Sequence, residues 1–517
     1  MFRLPGLETV PPGLYIDEAQ EGVDGWSIAT GQSFPVWVLL PGTEELRGRE
    51  AGYQWALAIV FRFAGPSVFA LRLTSALIGI ATVGVFFLVC QRLIGYRFAT
   101  IAGILMAVSR WHSTFSRTGF RAILVPLFMM LALLFFVEMV RQRSPRMAAA
   151  FGLVLGLGFY TYPSWWVMPF AFALVGLALL IRAPGKERIG WIGLTAVACP
   201  FFALALAPLA GYTILHPERV FARPAETLEL GQGGDGPVLD LIDNTQRVIL
   251  MLHLRGDREA RHNNPGQPML DPFSGAAFLA GLAWTLRRTV RGDPIWTGAL
   301  LLWLITLLPS IATDSAPHAM RAIAAIPPVI FLAAAGVDLL WKIPSLSERG
   351  RRGIALAVVL AAMLWNGQAL LRWGRDPDVA WHFDADIPRY FDLMAELTDD
   401  HDVLISPSLD DSPHFRFLRL EKRPRFVMIR DTTFLTGPAK RDRVIASESP
   451  ELNLLVETIY PEVELISRFP TYGGPKGRIY RIPRQRLRTS LGSHEVPVAD
   501  HLFRRALERF EEESATW

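Results

Sequence analysis

Charge is what this chain has least of. Asp, Glu, Lys and Arg make up 19% of 517 residues, against about 25% in an ordinary globular protein. The excess of 52 basic over 48 acidic side chains, +4, is too small to mark a nucleic-acid binder of this size. Cysteine is scarcer still: Cys90 and Cys199 both lie inside apolar runs. Neither a disulfide framework nor a cysteine-based zinc site is therefore available. Residues 1–20 hold no signal-peptide apolar core and no span. No inverted repeat marks the two halves of a transporter.

Long apolar runs are what the chain does have, gathered between residues 68 and 372. Stretches able to cross about 30 Å of hydrocarbon fall at 68–91, 97–110, 122–140, 147–160, 164–181, 189–211, 272–286, 294–311, 322–341 and 353–372. Alternate connections carry Arg92 and Arg97; Arg141, Arg143 and Arg146; Arg182, Lys186 and Arg188; Arg287, Arg288 and Arg291; and Lys342, Arg349, Arg351 and Arg352. Basic loops face the cytoplasm. The acid-rich first stretch (Asp17, Glu18, Glu21, Asp24, Glu44, Glu45, Glu50) and the long 212–271 connection, which has more acids than bases, then face outward. An even number of spans puts the C-terminal tail on that side too. An outward N-terminal stretch calls either for a preceding span, which residues 1–20 do not supply, or for translocation of the tail unaided.

The fold class expected is an α-helical polytopic bundle of about ten spans with a C-terminal soluble α/β domain. Three parts are expected: 1–67, an outer first loop with an acidic pair and a juxtamembrane helix; 68–372, the transmembrane domain; and 375–517, the extracytoplasmic α/β domain. The last contains a helix near 386–398, strand-like runs at 402–405, 425–429, 452–457, 463–469 and 478–482, and a solvated helix at 499–514.

Buried charges usually mark a transport pathway. Apart from Arg72 and Asp338 near span ends, the ten runs hold almost none, so chemistry belongs at the outer boundary. There Asp17 and Glu18 follow Pro11-Pro12-Gly13-Leu14-Tyr15-Ile16, close to Trp26. Partial desolvation suits such a carboxylate to act as a general base. Taken alone, the pair also suits the first turn of a solvated helix.

The order of motifs decides between these. Pro-Pro-Gly-Leu-Tyr-Ile-Asp-Glu, Gly48-Arg49-Glu50, Ala70-Leu71-Arg72-Leu73, Ser109-Arg110-Trp111-His112 with Phe115-Ser116-Arg117, Arg261-His262-Asn263-Asn264-Pro265-Gly266 and Ala316-Pro317-His318-Ala319-Met320-Arg321 together resemble the bacterial C-type membrane glycosyltransferases. The relatives are the protein O-mannosyltransferases and the lipid A aminoarabinose transferases, and the likeness covers about residues 11–341. It implies a polyprenyl-phosphate sugar donor, a catalytic acidic pair in the first outer loop and a further N-terminal span before it.

On that resemblance Asp17 is the base and Glu18 orients it or the acceptor. Arg49, beside Glu50, stands where relatives place a cation facing the lipid phosphate, although an arginine snorkelling beside a span fits equally. His112, Arg117 and Arg121 form a second outer polar group; the acid that relatives often carry there is missing, which puts a second catalytic carboxylate in doubt. His262 with Asn263 and Asn264, and His318 with Arg321, are candidate sugar or phosphate contacts, or else loop and interface anchors. Trp111, Trp165 and Trp166 read as an interfacial aromatic belt, and Arg223 as a bystander.

A rival metal motif, Asp384-Ala385-Asp386, reads as a helix N-cap, and Asp399-Asp400-His401-Asp402 as a helix-to-strand turn. No cofactor is assigned, and a divalent cation is left open. The expected partners are the lipid-linked donor, a glycan, lipid or protein acceptor and membrane lipids, without nucleic acid. The expected setting is the outer face of a prokaryotic plasma membrane. The competing classes are a transporter of lipid-linked sugar or lipid with an outer binding domain, and a non-catalytic scaffold of envelope assembly.

Overall fold

A computed structural model describes residues 2–39, 48–182, 185–221, 237–313, 315–436, 440–469, 477–487, 491 and 495–514. Glu44, Glu45 and Arg223 lie outside these. An irregular N-terminal segment leads into α1 (Ile16–Ala29). A short antiparallel ribbon follows, β1 (Trp37–Leu39) with β2 (Gly48–Glu50), in which Val38 faces Arg49. Helix α2 (Gly52–Ala64) is apolar on two sides. Tyr53, Leu57 and Phe61 are buried, while Ile59 (65% exposed) and Phe63 (87%) point away, as suits a helix lying along a lipid surface.

Every one of the ten expected spans is a helix: α3 (Val68–Leu93), α4 (Tyr96–Val108), α6 (Leu124–Gln142), α7 (Pro145–Leu157), α8 (Met168–Arg182), α9 (Gly185–Leu215), α11 (Pro272–Val290), α12 (Pro294–Ile311), α13 (Ile326–Asp338) and α14 (Glu348–Trp373). Helices α5 (Arg110–Phe115) and α10 (Pro237–Leu250) intervene. Among the described residues, seven helices are long and apolar enough to cross a membrane. The segments 96–108 and 145–160 are apolar but shorter, and α11 is less apolar, with Ser274, Thr285, Thr289, Arg287 and Arg288 along it.

Helix starts follow local chemistry. Ser67, Ser144, Asp271, Asp293 and Ser347 each cap with the side-chain oxygen, and Pro follows directly after Ser144, Asp271 and Asp293. Between α11 and α13 the packing is backbone to backbone. A Cβ on Gly281 would lie 1.8 Å from the Leu332 carbonyl oxygen, and one on Gly336 would lie 1.9 Å from that of Ala277. Such small-residue contacts replace the hydrophobic effect as the glue between helices in lipid. Trp111 and Trp165 are not belt residues: both are buried, with their indole N–H groups donating to the carbonyls of Ala319 (3.2 Å) and Leu155 (3.1 Å).

After α14 come α15 (Pro377–His382), α16 (Asp386–Leu397), β3 (His401–Ile405), α17 (Pro407–Asp411), α18 (Pro413–Lys422), β4 (Val427–Met428), β5 (Asp442–Ser447), α19 (Pro450–Ile459), β6 (Glu464–Phe469), β7 (Gly477–Ile482) and α20 (Glu495–Ser514). The sheet order is β4-β3-β5-β7-β6, parallel across β4-β3-β5 and antiparallel at β5-β7 and β7-β6.

Three expectations change here. Residues 452–457 belong to a helix, because Ser449 caps it, Pro450 starts it, and Leu452, Leu455, Val456 and Ile459 line one buried face. Strand β5 and helix α18 had no counterpart in the sequence reading. Asp384 is not an N-cap: the residue before α16 is Ala385, while the Asp384 carboxylate pairs with His414 Nε2 at 3.2 Å.

This C-terminal unit seats the first loop. His414 Nε2 also reaches the Leu14 carbonyl oxygen at 2.9 Å. The Phe417 ring lies 6.1 Å from that of Phe61 and packs on Gly22 so closely that a Cβ there would meet it at 2.3 Å.

Candidate active site

Two arginines hold the N-terminal segment by its backbone. Arg72, wholly buried on α3, donates from Nη1 to the carbonyls of Leu7 (3.0 Å) and Pro11 (2.8 Å) and from Nη2 to that of Gly13 (2.8 Å). Arg117, just past α5, donates to the carbonyls of Val10, Phe2, Pro5 and Gly6 at 2.8–3.0 Å. The Arg72 charge is met by Glu18, with Nη2 to Oε2 at 3.0 Å and both side chains fully buried. Glu18 also accepts the N–H groups of Gly119 (2.6 Å) and Tyr15 (3.2 Å). Glu18 is therefore engaged on both oxygens, and Arg117 on all its side-chain nitrogens. Neither offers a free group to a ligand.

Its neighbour differs. Asp17 points off the same first turn of α1, half-buried, and makes no hydrogen bond or ion pair among the described residues. Its charge bears on Glu21, Arg49 and Arg261. The Arg261 guanidinium lies 4.3 Å over the Tyr15 ring and donates from Nε to Glu259 at 2.9 Å. Burial alone would lower the Arg261 pKa; the Glu259 hydrogen bond, Tyr15, the Glu259 charge and Asp17 outweigh it and raise it. For Glu259 the opposing burial is likewise overcome, chiefly by the Arg261 hydrogen bond, and its pKa falls to about 2.

Behind Asp17 lies a buried charge network. Arg49, at 1% exposure, pairs with Glu21 (3.2 Å) and Asp24 (2.8 Å); Arg121 pairs with Glu21 (3.5 Å) and Glu50 (3.1 Å). Gln54 donates to Glu21, Gln20 donates to Asp24 at 2.8 Å, and Arg121 sits 5.3 Å over the Tyr162 ring. Arg49 thus neither snorkels nor lies open at a lipid surface. Burial pushes the Glu21 carboxyl up to about 7, offset only in part by Arg49 and Arg121.

His112, Arg117 and Arg121 do not form one group. His112 is buried under the N-terminal segment, where Arg3 Nη2 donates to its Nδ1 at 2.7 Å. Burial first, then the Arg3 charge, hold its pKa well below the usual histidine value.

The 257–271 segment is stapled from within. Asn263 accepts from Arg110 and donates to the carbonyls of Asp257 (2.9 Å) and Gln267 (2.7 Å), while Asn264 donates to that of Ala369 (3.0 Å). His262 Nδ1 donates to Asp257 Oδ2 at 3.1 Å, and its ring lies 4.8 Å from that of His318. Arg321 donates its backbone N–H to His318 Nδ1 (3.3 Å) and its Nη1 to Ser315 (3.2 Å). Burial, then His262 and Arg321, lower the His318 pKa well below its usual value.

Asp257, His262 and His318 bring one ligand atom each within 4.8 Å of one another, a donor set suited to a divalent cation. As they stand, these atoms engage each other and the N–H groups of Ala319 and Arg321. Sequence reasoning missed Asp257 and Glu259 altogether, and it left Arg261 and Glu21 outside the site. Glu259 and Asp257 pair locally, with Arg261 and His262, but the placement of Arg261 over Tyr15 joins motifs distant in sequence and leaves no local signal.

Residues 51–207 match the family model described as dolichyl-phosphate-mannose-protein mannosyltransferase. Comparison with curated proteins by sequence gives no match. Solved structures do match over almost the whole chain. ArnT from Cupriavidus metallidurans bound to undecaprenyl phosphate aligns at 15% identity with a TM-score of 0.55, covering 92% of this chain and 95% of that one. The archaeal oligosaccharyltransferase AglB from Archaeoglobus fulgidus, in complex with an inhibitory peptide and a dolichol-phosphate, aligns at 13% identity with a TM-score of 0.51, covering 92% and 73%. The class is therefore that of multi-pass membrane proteins with the C-type glycosyltransferase fold. The expected resemblance and fold class are met on that basis, and the chain is similar to both proteins.

Proposed function

We propose that this protein is a glycosyltransferase moving a monosaccharide from a polyprenyl phosphate to an acceptor at the outer face of the membrane, with Asp17 as the base. The observation that carries the reading is the contrast within one helical turn: Glu18 is locked into the fold, while Asp17 stands without a partner among the described residues, beside Arg261 and in front of a buried arginine pair.

Asp17 takes the proton from an acceptor hydroxyl. The freed oxygen forms a bond to the anomeric carbon, and the bond from that carbon to the phosphate oxygen breaks. The electron pair leaves with the polyprenyl phosphate, so the product is inverted. A phosphate leaving group is already ionised and needs cations rather than a general acid. Arg261 is the cation assigned to it, in place of Arg49, whose Nη1 and Nη2 face Glu21 and Asp24. Arg49 and Arg121 supply the positive background.

The test is donor binding and turnover measured together in lipid-reconstituted protein. Asp17→Asn should keep binding and lose about 10²- to 10⁴-fold in turnover. Turnover within a few fold of wild type would remove Asp17 from the chemistry. Absence of sugar transfer by the wild type, with movement of the lipid-linked sugar across the bilayer indifferent to both Asp17→Asn and Arg261→Ala, would favour the transporter reading.

A further inference from the structure

At the end of the bundle remote from Asp17, an apolar cavity of about 310 Å³ opens between α3, α6, α8, α12 and α13. Arg92, at its mouth, and Arg72, beside Glu18, stand on the same helix, roughly 30 Å apart along its axis at ~1.5 Å per residue. The mouth of the cavity therefore cannot hold the reacting end of a donor bound near Asp17, while Met129 and Pro327 carry the walls toward the opposite ends of α6 and α13. Its walls include Phe86, Met129, Phe136, Leu302 and Phe331, and Gly298 contributes bare backbone to one side. Arg141 completes the mouth.

The walls alone would accept any hydrocarbon; the mouth is selective. Arg92 pairs with Glu138 at 2.6 Å and is half exposed. Arg141 is exposed and donates one Nη1 to the Arg92 carbonyl at 3.0 Å. Glu138 also accepts from Gln142 at 2.5 Å. Two guanidinium groups against one carboxylate leave the mouth positive, at the level where headgroups lie. Arginine forks suit phosphate oxygens, and basic pockets between spans on the cytoplasmic side are sites for anionic lipid headgroups.

We propose that this cavity is a site for an anionic phospholipid, one acyl chain filling it and the phosphate held by Arg141 and Arg92. It is separate from the site assigned to the sugar donor. The lipid ties α3, α6 and α12 together on the side where the loops are basic.

The experiment is native mass spectrometry of delipidated full-length protein titrated with phosphatidylglycerol or with phosphatidylcholine of the same chains. Wild type should bind one phosphatidylglycerol per chain, about five- to tenfold more tightly than phosphatidylcholine, the scale of one surface charge. Gly298→Phe puts a ring into the cavity, since a Cβ there meets only Val175, at 3.9 Å; it should abolish saturable binding of both lipids. Arg141→Gln, at an exposed position and independent of any packing change, should keep chain binding and bring the two affinities close to parity.

Equal affinity of wild type for the two lipids would overturn the proposal. So would undiminished preference in Arg141→Gln, or mole-for-mole displacement of phosphatidylglycerol by undecaprenyl phosphate, which would assign the cavity to the tail of the donor. Loss of sugar transfer in Asp17→Asn has no bearing on these outcomes, so the two readings stand or fall separately.

Discussion

Adjacent carboxylates in α1 have opposite surroundings, and substitution should separate them. Glu18→Gln leaves the buried Arg72 charge unmatched; breaking a buried pair costs about 3–5 kcal/mol. The expected result is low yield and a thermal midpoint well below that of Asp17→Asn, which touches no fold contact among the described residues. Equal midpoints for the two variants would contradict the Glu18–Arg72 assignment. Glu21 gives a pH signature. Its carboxyl is raised to about 7 by burial, so in the folded protein it holds a proton that the unfolded chain has already released. Its contribution is full below the unfolded pKa and is lost as pH rises through about 7, because unfolding then releases a proton. The margin in thermal midpoint of wild type over Glu21→Gln should therefore shrink between pH 5 and pH 8; a margin that grows would reverse the sign.

Elements were legible in the sequence where one pattern dominates. Apolar runs long enough to span lipid all became helices, because no alternative in hydrocarbon satisfies their backbone. The C-terminal elements were less so: in Pro-Glu-Leu-Asn-Leu-Leu-Val-Glu-Thr-Ile a dense apolar run hides its 3.6-residue spacing, and the deciding signal was the Ser449-Pro450 start. Strand β5 was lost because Asp442 and Arg443 dilute its apolar half. The acidic pair could be found from its motif, whereas the separate roles of its two members depend on Arg72 and Gly119, which only the tertiary structure brings to Glu18. The α11–α13 crossing carries its own prediction. Gly281→Leu or Gly336→Leu must push apart backbones that touch, so folded yield in detergent should fall sharply. A conservative change on an exposed helix face, such as Leu364→Ile, should leave it unaltered. Gly13, at φ +76° with Phe383 and Ala385 backbone crowding its Cβ position, should tolerate Ala no better, with sugar transfer lost along with stability.

For the whole molecule, the contact between α1 and α18 settles relative sidedness by geometry. A loop whose Leu14 carbonyl meets His414 and whose Gly22 meets Phe417 lies on the same side of the membrane as the domain after α14. With the basic loops cytoplasmic, a reporter fused after Arg188 or Arg291 should read as cytoplasmic and one fused after Gly374 as external; a cytoplasmic reading at Gly374 would invert the proposed orientation. The same contact sets a time. Leu14 and His414 are 400 residues apart, so at about 5–20 residues per second the first loop is made and delivered roughly 20–80 s before the domain that seats it. In the proposed orientation, a half-synthesised chain has Asp17 across the membrane during that interval without the α18 contact that seats its loop. On the proposed function, sugar transfer is expected to switch on only once synthesis has passed α18, and a nascent chain arrested before that point should carry the acid without transferring sugar.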